Sequence, residues 1–130
     1  MTETRGSCFC EAVKFVAHAA PDRVGLCHCM DCRSRHGAPF KAFVVFRAGD
    51  IAIDGKLEPM PSRTGRRYAC ANCHVQIYWT DEAGREIEVS LGNFDSPGLF
   101  TPQYESWVGR REPWLKPLDV PQYPGNRPAS

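Results

Sequence analysis

Long apolar runs, basic runs and a sizeable net charge are all missing from this sequence. No apolar stretch approaches the roughly 18 residues that a membrane-spanning helix needs. Its 16 Lys and Arg residues nearly balance 15 Asp and Glu residues, for a formal charge of +1, whereas a dedicated nucleic-acid-binding domain usually carries a strongly basic face. The first ten residues also lack the basic and apolar segments of a secretory signal. We therefore expect a cytoplasmic protein that binds neither nucleic acid nor membrane.

Glycine and proline, by contrast, are abundant. The chain has 11 of each in 130 residues, which is too many for a helical bundle. The length suits one domain with a single hydrophobic core. After Trp114 the prolines recur as Pro117, Pro121, Pro124 and Pro128, so we expect the C-terminal end to be an extended, proline-rich tail.

Short segments of β pattern recur about every ten residues. Alternating apolar and polar residues, or a brief continuous apolar run, predict strands over 12–17, 41–47, 51–54, 75–80, 86–91 and 104–108. Helical turns are expected only over 30–36. The sequence therefore predicts a mainly β protein with an antiparallel β-sandwich-like or barrel-like fold and short helical turns at most.

The seven cysteines occur in three tight groups. The groups are Cys8 with Cys10, then Cys27, Cys29 and Cys32, and finally Cys70 with Cys73. A disulfide framework fits poorly, because the cytosol keeps thiols reduced and an odd number leaves one cysteine unpaired. Burial as ordinary apolar residues does not explain the grouping. Closely spaced thiolates are typical ligands of Zn²⁺, or less commonly of an iron–sulfur cluster.

Seven ligands make one complete four-cysteine site and leave three over. Four thiolates close the shell of a structural zinc, whereas three leave one position open, as in catalytic zinc sites. The spacing does not decide which groups combine. The economical arrangement gives the closed site two turns of two ligands each, which are Cys8, Cys10, Cys70 and Cys73. The compact turn with Cys27, Cys29 and Cys32 then forms the open site.

The order of these motifs resembles that of the glutathione-dependent formaldehyde-activating enzyme family, also named for centromere protein V. The matching segments are Cys8-Phe9-Cys10, Cys27-His28-Cys29-Met30-Asp31-Cys32, Gly37-Ala38-Pro39-Phe40, Cys70-Ala71-Asn72-Cys73, Leu91-Gly92, Trp107 and Pro113-Trp114-Leu115. The resemblance covers residues 4–117, which we take as a zinc-binding domain followed by the tail at 118–130. It implies a mostly β fold with two zinc sites, paired as in the economical arrangement.

The resemblance also implies an activity, the condensation of glutathione with formaldehyde, formally a carbon–sulfur lyase reaction run in reverse. The sequence departs from the family pattern at two positions. Glu11 stands where glycine usually follows the first cysteine pair, and Glu105 stands where histidine is common two residues before the late tryptophan. These departures indicate a divergent subgroup, so a different aldehyde or thiol substrate stays open.

A zinc ion with an open position binds a substrate thiol as thiolate, which can attack a carbonyl carbon beside it. On this basis Cys27, Cys29 and Cys32 are the predicted catalytic-metal ligands. Arg33 and Arg35 are candidates for binding the glutathione carboxylates, although turn arginines are often merely solvated. The alternative is a non-catalytic zinc-stabilised binding module, in which His28 or Asp31 folds back as a fourth ligand.

Packing or solvent-facing roles are expected for the remaining histidines and tryptophans near the motifs. These are His36, His74, Trp107 and Trp114, together with the charged pair Arg110-Arg111. One of the two tryptophans is an alternative candidate for lining a substrate cleft, because indole rings combine a large apolar surface with one polar group.

Overall fold

The computed structural model describes residues 3–128, which form ten β-strands, one α-helix and three single-turn 3-10 helices. The strands are β1 Thr4–Ser7, β2 Lys14–Ala17, β3 Arg23–Cys27, β4 Lys41–Arg47, β5 Ile51–Asp54, β6 Leu57–Met60, β7 Arg66–Cys70, β8 Gln76–Thr80, β9 Glu86–Ser90 and β10 Glu105–Ser106. Helix α1 spans Met30–His36, and the 3-10 helices span Ala48–Asp50, Leu91–Asn93 and Val108–Arg110. The prediction of a mainly β fold is confirmed. No helix in this part of the chain is both long and apolar enough to cross a membrane.

The strands form two sheets. The smaller has the order β1-β2-β5 and the larger the order β10-β3-β4-β9-β8-β7-β6. Every pairing between neighbouring strands is antiparallel except that of β10 with β3. The parallel pair arises because β10 follows a long excursion over residues 91–104 and returns beside β3 in the same direction.

The main hydrophobic core lies between the two sheets. Phe15 and Ala17 of β2 pack in one cluster with Val44 and Phe46 of β4 and Val89 of β9, all almost fully buried. Successive side chains of a strand point to opposite faces, so one face of the larger sheet is committed to this core. Its other face is available to build a site.

A row of paired residues crosses that other face from β3 to β7. Register places Arg23 beside Val45, Val45 beside Glu88, Glu88 beside Trp79, and Trp79 beside Arg67. Directly paired residues project from the same face of a sheet. The row therefore brings two arginines, a carboxylate and an indole ring together, although they are far apart in sequence.

The predicted elements agree best where the pattern is strong. Helix α1 and strand β4 have the predicted limits, and β5, β8 and β9 lie within one residue of theirs. Four strands, β1, β3, β6 and β7, were not predicted. β3 is interrupted by Gly25 and β6 contains Pro59, while β1 and β7 each hold two or more polar residues in four or five. The predicted strand over 104–108 shortens to two residues, because Trp107 has a left-handed backbone with φ of 56°.

The C-terminal tail packs along β10. Backbone hydrogen bonds join Glu105 N to Pro121 O, Tyr123 N to Glu105 O, and Trp107 N to Gly125 O. The predicted tail includes residues 129 and 130, which lie outside the described residues. The part that is described is mostly irregular, as its prolines require, and it is fixed to the domain by these bonds.

Candidate active site

The group of four cysteines, Cys8, Cys10, Cys70 and Cys73, joins the two sheets. Cys8 and Cys10 lie in the turn between β1 and β2, whereas Cys70 ends β7 and Cys73 precedes β8. The four sulfur atoms lie within 4.8 Å of one another. Cys10 Sγ is 3.6 Å from Cys8 Sγ and 3.7 Å from Cys70 Sγ, close to the edge of about 3.8 Å in a tetrahedron with metal–sulfur bonds of about 2.3 Å. These residues fit a closed metal site.

Backbone and side-chain donors surround these sulfur atoms. Val13 N donates to Cys8 Sγ, and the amides of Asn72 and Cys73 both donate to Cys70 Sγ, each at 3.4 Å. Asn72 is the main cause of a pKa of about 6 at Cys10. Hydrogen bonds to the charged form stabilise it, and a thiolate at Cys10 is a suitable ligand for a soft cation.

The second cysteine group lies where β3 meets α1. Cys27 ends the strand, Cys29 is the residue that caps the helix, and Cys32 is in its first turn. Cys32 N donates to Cys29 Sγ at 3.3 Å. The three sulfur atoms lie within 4.8 Å of one another, and no fourth His, Cys, Asp or Glu of residues 3–128 joins the group. A hydrogen bond from Cys32 is the main cause of a pKa of about 6 at Cys27.

His28 is not part of the group of three cysteines. Its ring is fully buried, and its Nε2 lies 2.7 Å from Glu105 Oε1. The Glu105 carboxylate also accepts hydrogen bonds from Leu118 N and Gln122 Nε2. Burial by itself would raise the pKa of Glu105, but these bonds and the charge of Arg111 outweigh burial and lower it to about 2. His28 is therefore committed to the packing of the tail.

Asp31, the other residue considered as a fourth ligand, is surrounded by guanidinium groups. Its carboxylate lies 3.6 Å from Arg35, 3.7 Å from Arg67 and 3.9 Å from Arg63. Both of its carboxylate oxygens are engaged in these ion pairs. The group of three cysteines thus keeps one side without a protein ligand.

That side opens into a cleft of about 640 Å³ on the exposed face of the larger sheet. Its lining includes the three cysteines, the acids Asp31 and Glu88, the arginines Arg23, Arg63, Arg67, Arg110 and Arg127, and the aromatic residues Phe43, Trp79, Tyr104 and Trp107. Five arginines against two acids make the cleft cationic. Such a cleft attracts anionic molecules and holds them near the three thiols.

Comparison with known proteins identifies the family. The sequence profile described as glutathione-dependent formaldehyde-activating enzyme matches residues 3–110. The chain belongs to this family. A solved structure of a Rhodobacter sphaeroides protein has the same fold, with a TM-score of 0.53, 19% identity, and coverage of 91% of this chain and 98% of that one. No curated protein matches the sequence.

The two arginines that the sequence of this family member singled out for glutathione binding lie outside the cleft. Arg33 bonds Glu112 at 2.6 Å, and Arg35 donates to Pro61 O at 2.8 Å, so neither lines it. His74 bonds Glu58 at the surface. The glutathione-binding role of Arg33 and Arg35 stays a prediction.

His36, Trp107, Trp114 and Arg110 also have defined positions. Burial is the main cause of a lowered pKa of about 4 at His36, so its ring is neutral at pH 7. Trp114 is 68% exposed, whereas Trp107 lines the cleft and its Nε1 donates to Asn126 at 2.8 Å. Arg110 lines the cleft too.

Sequence reasoning missed Glu88, Trp79, Asn126 and Arg127. Glu88 and Trp79 lie in β9 and β8, two strands that the alternating sequence pattern predicts. Only the pairing of these strands brings the two side chains to the cleft. Asn126 and Arg127 lie in the tail, beyond the segment that the family profile matches. The concentration of arginines and aromatic residues near the C-terminus was the one available signal.

The two turns of the predicted closed site share a backbone feature at the position where this chain departs from the family pattern. The residue after the second cysteine is left-handed in both, with φ of 64° at Glu11 and at His74. Side chains other than glycine cost about 1–2 kcal/mol in a left-handed conformation. Glycine is therefore the favoured residue where this chain has Glu11.

We expect the substitution Glu11→Gly to stabilise the protein by about 1 kcal/mol, because glycine relieves the left-handed strain at an exposed position. The thermal midpoint should rise by about 4 °C in calorimetry. Lys14→Gly, in the neighbouring strand β2, is the matched control and should lower it, since glycine weakens a regular strand. A fall in the midpoint of Glu11→Gly would contradict the strain argument.

Proposed function

We propose that this protein is a zinc-dependent carbon–sulfur lyase-type enzyme that condenses a glutathione-like thiol with formaldehyde or another small aldehyde. The observation that carries the proposal is the group of Cys27, Cys29 and Cys32, which lies on a cationic cleft without a fourth protein ligand among the described residues. Membership in the family supports the thiol and aldehyde substrates. The proposed location is the cytoplasm, where thiols stay reduced and available as metal ligands.

In this proposal the cysteines hold Zn²⁺, and their thiolate chemistry fits that soft ion. The ion, when bound, lowers the pKa of a substrate thiol and holds its sulfur in place. The cationic cleft orients the thiol substrate by binding the carboxylates of that substrate, and it places the aldehyde beside the substrate sulfur. Fixing two reactants side by side makes an unfavourable encounter effectively intramolecular.

The reaction needs one proton to move. The thiol loses its proton, the sulfur–carbon bond forms as the carbonyl π bond opens, and the carbonyl oxygen gains a proton. Glu88 is the candidate carrier, because its carboxylate lines the cleft and Lys41 Nζ, at 2.9 Å from Oε2, fixes its position. Asp31 is less suited, since ion pairs with three arginines occupy both of its carboxylate oxygens.

A second candidate function is the same condensation with a larger aldehyde. The four aromatic residues in the cleft favour it, because they offer an apolar wall that formaldehyde does not need. The binding-module alternative is less well supported, since His28 and Asp31 have other partners.

The direct test is exchange spectroscopy by NMR on formaldehyde and glutathione, with and without the purified zinc protein. The condensation also occurs unaided, so we expect an exchange rate clearly above that of the protein-free mixture. Propionaldehyde and benzaldehyde in place of formaldehyde distinguish the second candidate. No acceleration with any of the three aldehydes would contradict the enzyme proposal and favour a binding module.

A further inference from the structure

The five arginines of the cleft differ in whether a carboxylate already neutralises them. Arg23 makes two hydrogen bonds to Glu86, of 3.0 and 2.9 Å. Arg63 and Arg67 both approach Asp31. Within residues 3–128, Arg110 and Arg127 form no ion pair. The cations available to a ligand therefore lie at the end of the cleft that the C-terminal segment builds.

Arg127 is held on an aromatic platform. Its guanidinium carbon lies 5.7 Å from the centre of the Tyr104 ring. Tyr104 in turn contacts Phe43 and Tyr123 edge-on, at 6.0 and 6.1 Å between centroids. A guanidinium stacked on a ring loses little further freedom on binding and still presents N–H groups at its edge to a carboxylate.

Strand β3 makes room for this platform at a glycine. A Cβ atom at Gly25 would lie 2.7 Å from Tyr104 Cζ and 2.8 Å from Phe43 Cζ. Both rings can therefore approach the strand only because residue 25 has no side chain. The platform is a feature built from three segments: β3, β4 and the residues before β10.

The tail itself is fixed against the residues that follow β10. Trp107 N donates to Gly125 O at 3.1 Å, Val108 N donates to Tyr123 O at 3.1 Å, and Trp107 Nε1 donates to Asn126 Oδ1 at 2.8 Å. These bonds attach the tail on both sides of the left-handed Trp107 and set the 3-10 helix that carries Arg110. Arg110 and Arg127 are thus presented by one connected piece of backbone.

The C-terminal wall of the cleft consists of Tyr104, Trp107, Arg110, Asn126 and Arg127. We propose that this wall determines specificity for the thiol substrate. Arg127 and Arg110 bind the carboxylates of the substrate while its sulfur lies at the three cysteines. The proposal rests on the proposed function and names the part of the site that selects anionic thiols. It also assigns a functional role to a segment beyond the family match, which ends at residue 110. A planar guanidinium pairs with a carboxylate through two parallel hydrogen bonds.

The test compares wild type, Arg127→Ala, Arg127→Lys and Arg110→Ala with two thiols, glutathione and neutral 2-mercaptoethanol. We expect Arg127→Ala to raise KM for glutathione about tenfold, with kcat and the KM for 2-mercaptoethanol within twofold of wild type. Arg127→Lys should recover part of the loss, because it keeps the charge and loses the paired geometry. Arg85→Ala, in the exposed loop between β8 and β9, is the matched control and should change neither KM.

A binding measurement separates this proposal from the proposed function. S-methylglutathione carries the carboxylates of glutathione but has no free thiol. Its affinity, measured by calorimetry, therefore reports carboxylate binding by the C-terminal wall without any contribution from a thiol at the three cysteines. We expect about a tenfold weaker Kd for Arg127→Ala and no change for Arg85→Ala. If wild type binds S-methylglutathione in this manner but does not accelerate the condensation, the enzyme proposal fails and the wall stands. Equal KM changes for both thiols, or an unchanged Kd, would overturn the wall.

Discussion

Cys70→Ser is expected to leave the protein largely unfolded at 25 °C. Cys70 Sγ is fully buried, receives two backbone hydrogen bonds and lies 3.7 Å from Cys10 Sγ across the two sheets. Structural zinc contributes on the order of 10 kcal/mol in small zinc domains, which equals the whole stability of many proteins of this size. We therefore expect the loss of this predicted ligand to remove most of the stability of the fold.

The packing around this site strengthens the expectation. Cys8, Val13, Cys70 and Ile77 form a small core cluster of their own, separate from the main core between the sheets. Two of its four buried residues, Cys8 and Cys70, are predicted metal ligands, so we expect loss of the metal to disrupt this cluster. The same ligands connect the β1–β2 turn to the β7–β8 turn, about 60 residues apart along the chain. A cross-link over such a distance restricts the unfolded chain strongly.

Circular dichroism, thermal melting and metal analysis by mass spectrometry are the measurements. Wild type should carry two metal ions per chain and melt cooperatively, whereas Cys70→Ser should lose the cooperative transition. Phe9→Ala is the matched control, because Phe9 lies between the predicted ligands Cys8 and Cys10 in the β1–β2 turn but is 88% exposed. It should keep both metals and the wild-type transition. A folded Cys70→Ser protein with an unchanged midpoint would show that the site is not structural.

The cysteine groups were predictable from sequence because ligand spacing is a local property. Two turns with two cysteines each, and one turn with three, leave few ways to form a four-ligand and a three-ligand group. Which groups combine is a property of the fold, yet the economical arrangement agrees with the grouping of sulfur atoms that the structure gives. Helix α1 was predictable for the same reason, as Cys29 and Gly37 cap its two ends.

The cleft could not be predicted in this way. Glu88 and Trp79 meet Arg23 and Arg67 only through the register of five strands, and two of those strands, β3 and β7, lack a clear alternating pattern. Arg33 and Arg35 are candidates from sequence because they closely follow the cysteines. On a helix they point to Glu112 and Pro61 instead, whereas arginines distant in sequence reach the cleft.

The second large effect is expected from Cys32→Ala, which should abolish catalysis and leave the fold intact. Substitution of residues that merely support metal ligands typically costs 10–100-fold in activity or metal affinity, so loss of a ligand should cost more than about 100-fold in kcat/KM for the condensation. Alanine suits this position because Cys32 lies in the first turn of α1. The closed site at the other cysteine group is untouched, so the thermal midpoint should fall by only a few degrees.

Metal analysis and cobalt spectroscopy separate this outcome from general damage. Cys32→Ala should hold one metal per chain instead of two, and its cobalt-substituted form should lose the absorption change that glutathione causes in wild type. Ser34→Ala, on the exposed side of the same helix, should retain both metals, the spectral change and the activity. We expect Cys70→Ser to unfold the protein and Cys32→Ala to abolish only the reaction. Together the two variants would assign the group of four cysteines to stability and the group of three cysteines to catalysis. Full activity in Cys32→Ala, or unfolding equal to that of Cys70→Ser, would contradict this division of roles.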